Sequence, residues 1–93
     1  MKKYGRTDDN QTRIVRDLRQ AHCRVMSLAA IGGGCPDLLV YRPTTGLLYM
    51  LEVKDGDKVP SRRKLTPHQV KFHEDWPVHV VKDIDEAFEA VGL

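Results

Sequence analysis

The sequence predicts an α/β protein in which a mixed sheet is flanked by helices. Apolar residues recur at helical spacing near both ends of the chain, the middle is rich in β-forming residues, and turn residues separate these segments. The predicted order of elements is α-β-β-β-α-β-α, without an internal repeat or a linker. A chain of 93 residues that is 41% hydrophobic is sized for one domain, residues 1–93, with one compact core.

The first predicted helix covers residues 10–21. Its apolar residues Ile14, Leu18 and Ala21 recur at helical spacing, and the opposite side is polar and charged. Gln11 falls on the apolar side near the helix start, which is an unusual place for an amide.

Three strands are predicted next. Residues 24–28 form a short strand, and the three glycines at 32–34 end it in a loop that is either flexible or closely approached by another segment. Residues 38–41 and 47–53 are rich in β-formers. Residues 43–46 (Pro-Thr-Thr-Gly) have a composition typical of a turn and separate these two segments, so we predict a β-hairpin.

The remaining elements follow a polar, charged loop at 55–65. Thr66 is a helix cap, Pro67 stands at the first helical position and Gln69 completes a capping box, so a helix should run to about Trp76. Residues 78–81 predict a fourth strand. A final helix then begins at 83–86, with an apolar face formed by Ile84, Ala87, Phe88 and Val91.

The charge of the chain is nearly balanced but unevenly distributed. The net charge of +2 does not identify a nucleic-acid partner by itself. No acid interrupts the basic residues between positions 57 and 74, whereas residues 83–93 hold acids and no base. The basic run fits contacts with a phosphate backbone, and an ordinary solvated loop is the alternative. It consists of Lys58, Arg62, Arg63, Lys64 and Lys71.

Several classes of protein do not fit the sequence. No stretch approaches the ~18 apolar residues of a membrane span, and no apolar signal core follows the first residues. Cys23 and Cys35 are too few and too irregularly spaced for a disulfide framework. We therefore expect a soluble cytoplasmic protein with reduced thiols.

The hairpin places two acids beside each other. With a two- or four-residue loop, facing residue numbers add up to 89, and Asp37 lies opposite Glu52. Lys54 follows two residues later on the same face. A three-residue loop would instead place Asp37 opposite Val53.

A divalent cation would relieve the repulsion between these two carboxylates. Leu39, Leu48 and Met50 share the face with them, so we expect a helix to cover that face and the acids to lie at the edge of a core. A cation held by both carboxylates leaves coordination positions for water and a phosphate oxygen. The alternative is a turn aspartate followed by a solvated Glu52–Lys54 pair.

These residues resemble a nuclease signature. Residues 34–37 (Gly-Cys-Pro-Asp), fourteen residues, and then residues 52–54 (Glu-Val-Lys) look like the PD-(D/E)XK motif. The preceding glycines, residues 52–56 and residues 65–69 (Leu-Thr-Pro-His-Gln) resemble the VRR-NUC domain more narrowly, over nearly the whole chain. The resemblance implies a restriction-endonuclease-like αβββαβ core with a C-terminal helix.

The resemblance also implies roles for individual residues. Asp37, Glu52 and the backbone carbonyl of Val53 would bind Mg²⁺ or Mn²⁺, Lys54 would lie beside the attacking water, and Gln69 would lie next to the site. Capping of the helix is the alternative role of Gln69, and the two roles are compatible.

DNA contacts are expected from two loops. These are the glycine loop, through Gly33 and Gly34, and the basic run between residues 58 and 71.

The first helix departs from the resemblance. Similar domains often supply an acid from this helix, where this chain has Gln11. Gln11 is a candidate to hold a metal-bound water. Asp8 and Asp9 are further candidates, and both also suit a helix cap.

The resulting hypothesis is a metal-dependent DNA endonuclease. The resemblance implies a structure-selective enzyme of a phage or prophage that cleaves branched DNA, such as Holliday junctions or flaps, as a homodimer. A DNA-binding module that has lost cleavage is the main alternative, because the first-helix acid is absent. A small interaction domain unrelated to nucleic acid is a third reading.

Overall fold

The computed structural model describes residues 9–54 and 65–93. Within these ranges the chain forms helices and strands in the predicted order. They are α1 (Asp9–Gln20), β1 (Arg24–Ser27), β2 (Leu38–Arg42), β3 (Leu47–Val53), α2 (Pro67–Asp75), β4 (Val78–Val81) and α3 (Ile84–Ala90). No helix in the described part of the chain is long and apolar enough to cross a membrane.

The strands form one mixed sheet in the order β1-β2-β3-β4. The pairs β1–β2 and β2–β3 are antiparallel, and β3–β4 is parallel. A parallel pair needs a long crossover connection, and the segment between β3 and β4 includes α2. The predicted mixed sheet is confirmed.

A four-residue turn sets the register of the hairpin. The amides of Thr45 and Gly46 both donate to the carbonyl of Arg42, at 3.2 and 2.8 Å, and Gly46 has φ +75°. Glycine adopts this left-handed conformation without a steric penalty. Leu38 therefore pairs with Leu51, as the even loop length predicts.

The core lies on one face of the sheet. α1 and α3 contact each other, and their apolar residues pack with alternate residues of the strands. The side chains with essentially no solvent exposure include Ile14 and Leu18 from α1, Ala87 from α3 and Val91 just after it, and Leu38, Val40 and Leu51 from the sheet.

In the described part of the chain, the opposite face of the sheet is largely uncovered by helices, so one expectation is wrong. We expected a helix over Leu39, Leu48 and Met50, but Leu48 is 64% exposed, and Met26, which pairs with Leu39 from β1, is 60% exposed. Leu39 and Met50 are half-buried. The reason is that α1 and α3 both pack on the other face. The contact of α2 with this face is at the end of β3, through Gln69.

The start of α2 is fixed by a cap and by a close backbone approach. Thr66 accepts a hydrogen bond from the Gln69 amide, and the Gln69 side chain returns one to the Thr66 amide, which completes the predicted capping box. Gly34 has φ +87°, and a Cβ atom there would lie 2.3 Å from the carbonyl oxygen of His68. The glycine loop is therefore closely approached at Gly34.

Candidate metal centre

Asp37 is held at the end of the sheet where β2 begins and β3 ends. It follows the buried Pro36, and its backbone carbonyl accepts a hydrogen bond from the amide of Leu28 at 2.8 Å. Its carboxylate Oδ2 accepts a 2.7 Å bond from the backbone amide of Val53. These contacts fix an acid beside the last residues of β3.

Glu52 is a buried carboxylate with one oxygen left over. The residue is only 3% exposed. Its Oε2 accepts a 2.9 Å hydrogen bond from Gln69 Nε2 and lies 3.6 Å from Lys54 Nζ. Its Oε1 is buried and has no hydrogen-bond partner among the residues that the structure describes. A buried carboxylate oxygen without a partner is costly unless a cation or a donor occupies the space beside it.

The surroundings of Glu52 disfavour its charged form. The pKa of Glu52 is raised to about 7, first by burial and then by the negative charge of nearby Asp37, against the opposing effect of Lys54. One lysine therefore does not balance the two acids.

Gln69 connects the lysine to the glutamate. Its Oε1 accepts a 3.1 Å bond from Lys54 Nζ and a 2.9 Å bond from the Thr66 amide, while its Nε2 donates to Glu52. The side chain thus forms the capping box and contacts both charged groups at once. The two alternatives considered for Gln69 coexist.

The donor atoms suit a hard divalent cation. Across residues 9–54 and 65–93, no three His, Cys, Asp or Glu side chains come together as a metal-binding group. Asp37 and Glu52 therefore need further oxygen donors, and Mg²⁺ is commonly bound by one or two carboxylates with water and phosphate. The unpartnered Oε1 of Glu52 fits such an ion.

The first helix also places an amide other than Gln11 at the ends of β3 and β4. Asn10 Nδ2 donates to the carbonyl of Lys82 at 2.8 Å and lies 3.5 Å from the carbonyl of Lys54. It thereby ties the start of α1 to the ends of β3 and β4. Gln11 is half-buried and lines a groove between α1 and β1. Asp8 and the side chain of Asp9 lie outside the described residues.

His73 is a second residue that the sequence analysis missed. It lies four residues after Gln69 on α2, and its buried Nε2 has no hydrogen-bond partner in the described structure. Burial and the positive charge of Lys54 lower its pKa, so the imidazole is held neutral beside the lysine. The spacing of four from Gln69 was the signal that could have identified it.

The residues expected to contact DNA are only partly described. Lys58, Arg62, Arg63 and Lys64 lie outside the described residues. Lys71 is exposed on α2, and Gly33 is exposed with open space around its Cα. Gly34 packs against the first turn of α2. The structure thus separates the roles of the two neighbouring glycines.

The fold has a match among solved structures. A structure described as "VRR_NUC domain" is 27% identical to this chain, with a TM-score of 0.62, and the match covers 88% of this chain and 89% of the other. No protein-family model matches the sequence, and no curated protein matches it.

Proposed function

We propose that this chain, which has the VRR-NUC fold of a nuclease family, is a metal-dependent DNA endonuclease formed by one domain over residues 1–93. The observation that carries the proposal is the buried, unpartnered Oε1 of Glu52 beside Asp37 and Lys54. A structural ion pair would satisfy its acid, whereas one oxygen of this buried carboxylate has no partner among the described residues, and a cation would supply one. Perturbed carboxylates of this kind are concentrated at functional sites.

The chain's own residues hold the cation and orient the reaction. Asp37, Glu52 and the Val53 carbonyl bind Mg²⁺ or Mn²⁺ in this proposal. When bound, the ion acts as a Lewis acid on the phosphate and lowers the pKa of a water molecule for in-line attack. Attack by water forms one P–O bond and breaks the bond between phosphorus and the 3′ oxygen, which takes up a proton. As the family resemblance implies, one product then carries a 5′-phosphate.

Lys54 has donors to spare for the reacting phosphate. An ammonium group carries three N–H donors, and the contacts of Lys54 Nζ are with Gln69 Oε1 at 3.1 Å and Glu52 Oε2 at 3.6 Å. A remaining donor orients the water or stabilises the charge that develops on the phosphate. Gln69 is a positioning residue, because it fixes Lys54 and Glu52 relative to each other.

The finer proposal concerns the substrate and the assembly. We propose a homodimer in the cytoplasm of a bacterial host that cleaves branched DNA during phage recombination or repair, since cutting two strands of a junction needs two such domains. The uncovered sheet face supports self-association, with Leu48 64% and Val80 47% exposed. A monomer in light scattering at working concentration would contradict the dimer.

A DNA-binding module that has lost cleavage is the second candidate. It is favoured by Gln11 at the position where similar domains carry an acid, and by the pairing of only two carboxylates in the described part of the site.

Cleavage of labelled four-way junction, flap and duplex DNA with Mg²⁺ or Mn²⁺ separates the two candidates. We expect the wild type to cut, and Lys54→Ala to lose about 10²- to 10³-fold in rate while still binding DNA. Lys82→Ala is the matched control, because Lys82 is an exposed lysine paired with Glu86. If the wild type binds but cuts no substrate with either metal, the binding module replaces the nuclease. Equal cutting by Lys54→Ala would contradict the role of Lys54.

A further inference from the structure

A groove of about 310 Å³ runs between α1 and β1, at one edge of the sheet. Arginines from α1 and both polar and apolar residues from the strands line it. The resemblance does not assign this groove a role. The residues that line the groove include Gln11, Arg16, Arg19, Ser27 and Leu38.

The two arginines in the groove are available for an anion. Arg19 is exposed, and its Nη2 donates across the groove to the carbonyl of Val25 at 3.1 Å, which fixes the guanidinium in place. Arg16 is paired with its neighbour Asp17 at 3.0 Å, with its side chain 58% exposed. Exposed pairs of this kind contribute little, so a phosphate can compete for Arg16.

One end of the groove lies at the start of α1. Gln11, which lines the groove, directly follows Asn10, whose side chain lies 3.5 Å from the carbonyl of Lys54 in the candidate metal centre. The distance along α1 from Gln11 to Arg19 is about 12 Å at the usual helical rise. A strand of duplex DNA presents about three or four phosphates over that length.

The opposite edge of the sheet carries the opposite charge. A second groove, beside β4, is lined by Glu89 of α3 and by Glu86, which is paired with Lys82. Exposed Asp85 adds to that acidic surface. A polyanion is therefore attracted to the β1 edge and repelled from the β4 edge, although the net charge of the whole chain is only +2.

We infer that the groove between α1 and β1 binds the phosphate backbone of the DNA that enters the metal centre, with Arg16 and Arg19 contacting successive phosphates. This inference rests on the proposed nuclease function. It adds a binding surface on the α1 side of the site, and these contacts position DNA without reading its sequence.

The test is the salt dependence of DNA binding in EDTA, so that cleavage plays no part. A labelled duplex is titrated with the wild type and with Arg16→Gln, Arg19→Gln and Arg13→Gln. The salt concentration is varied from about 50 to about 200 mM, a range over which phosphate contacts make the affinity for DNA fall steeply. Arg13→Gln removes the same charge from an exposed position of α1 that does not line the groove. We expect each groove variant to bind about fivefold more weakly and to lower the salt slope by about 0.9, the value for one phosphate contact. The affinity of the control for DNA should be within about twofold of that of the wild type, because Arg13 lies outside the groove.

Three results would overturn the inference. The first is that Arg16→Gln and Arg19→Gln both bind DNA with the affinity of the wild type. The second is that Arg13→Gln loses as much affinity for DNA as the two groove variants do. In either case, metal-dependent cutting by the wild type leaves the proposed nuclease intact. The third is a wild type that neither binds nor cuts DNA, which removes the nuclease proposal as well. If melting shows that Arg19→Gln is unfolded, Arg16→Gln decides, since its side chain bonds only to its neighbour in the described structure.

Discussion

The helix-covered face of the sheet and the Glu52 side chain of the candidate metal centre are both buried, but they differ in how well their polar groups are satisfied. Ile14, Leu18 and Leu51 are apolar and have no solvent exposure, and each such side chain contributes about 1.5 to 3 kcal/mol of burial. Glu52 is 3% exposed, yet one of its oxygens has no partner in the described structure and its pKa is raised to about 7. The covered face stabilises the fold, whereas the candidate metal centre costs stability that a bound cation is expected to restore.

The largest effect is expected where the glycine loop meets α2. Gly34→Ala places a Cβ 2.3 Å from the His68 carbonyl oxygen, at φ +87°, so the first turn of α2 must move and carry Gln69 away from Glu52. We expect a loss of about 3 kcal/mol in unfolding free energy, together with loss of cleavage.

Gly33→Ala is the control for this substitution. Gly33 has φ +65° with open space around it, so only the conformational strain of about 1 kcal/mol applies there. If urea denaturation shows that both variants lose the same free energy of unfolding, the contact of Gly34 with α2 does not contribute to stability.

A smaller effect separates the two roles of Gln69. Gln69→Ala removes the capping box and the bridge between Lys54 and Glu52, whereas Thr66→Ala removes only the side-chain half of the cap. Each should lose about 1 kcal/mol of stability. Only Gln69→Ala should also lower the cleavage rate, by about tenfold or more, measured at a temperature where both are folded. Equal cleavage by the two variants would reduce Gln69 to a capping residue.

The caps could be predicted from the sequence because they depend on local chemistry, and the register was limited to two choices by the possible loop lengths. The turn at 43–46 has four residues, which fixes the pairing of Leu38 with Leu51, and Thr66 and Gln69 form the capping box that their spacing predicts. The side-by-side placement of Asp37 and Glu52 follows from that register.

What the sequence did not predict depends on packing between distant segments. Whether α1 and α3 cover the same face cannot be read from their amphipathic patterns, because those patterns show that each helix has an apolar side and not which face of the sheet it meets. The uncovered Leu48 follows from that choice. The contact of Asn10 with Lys82 joins residues 72 positions apart, and no local pattern reveals it.

The most direct measurement is the stability of the wild type and Glu52→Gln as a function of pH, with and without Mn²⁺. The pKa of Glu52 rises from 4.5 in the unfolded chain to about 7 in the fold. In EDTA, the stabilising contribution of protonated Glu52 to the free energy of unfolding is therefore fully present below pH 4.5. It is lost as the pH rises through 7, which lowers the free energy of unfolding by about 3 kcal/mol in total. The free energy of unfolding of Glu52→Gln should not show this decrease with rising pH.

Mn²⁺ should restore the stability of the wild type at pH 8 by about 2.7 kcal/mol at a hundredfold excess over its Kd, and it should leave Glu52→Gln unchanged. A difference between the two proteins that does not vary with pH, or equal stabilisation of both by Mn²⁺, would contradict a cation site at Glu52.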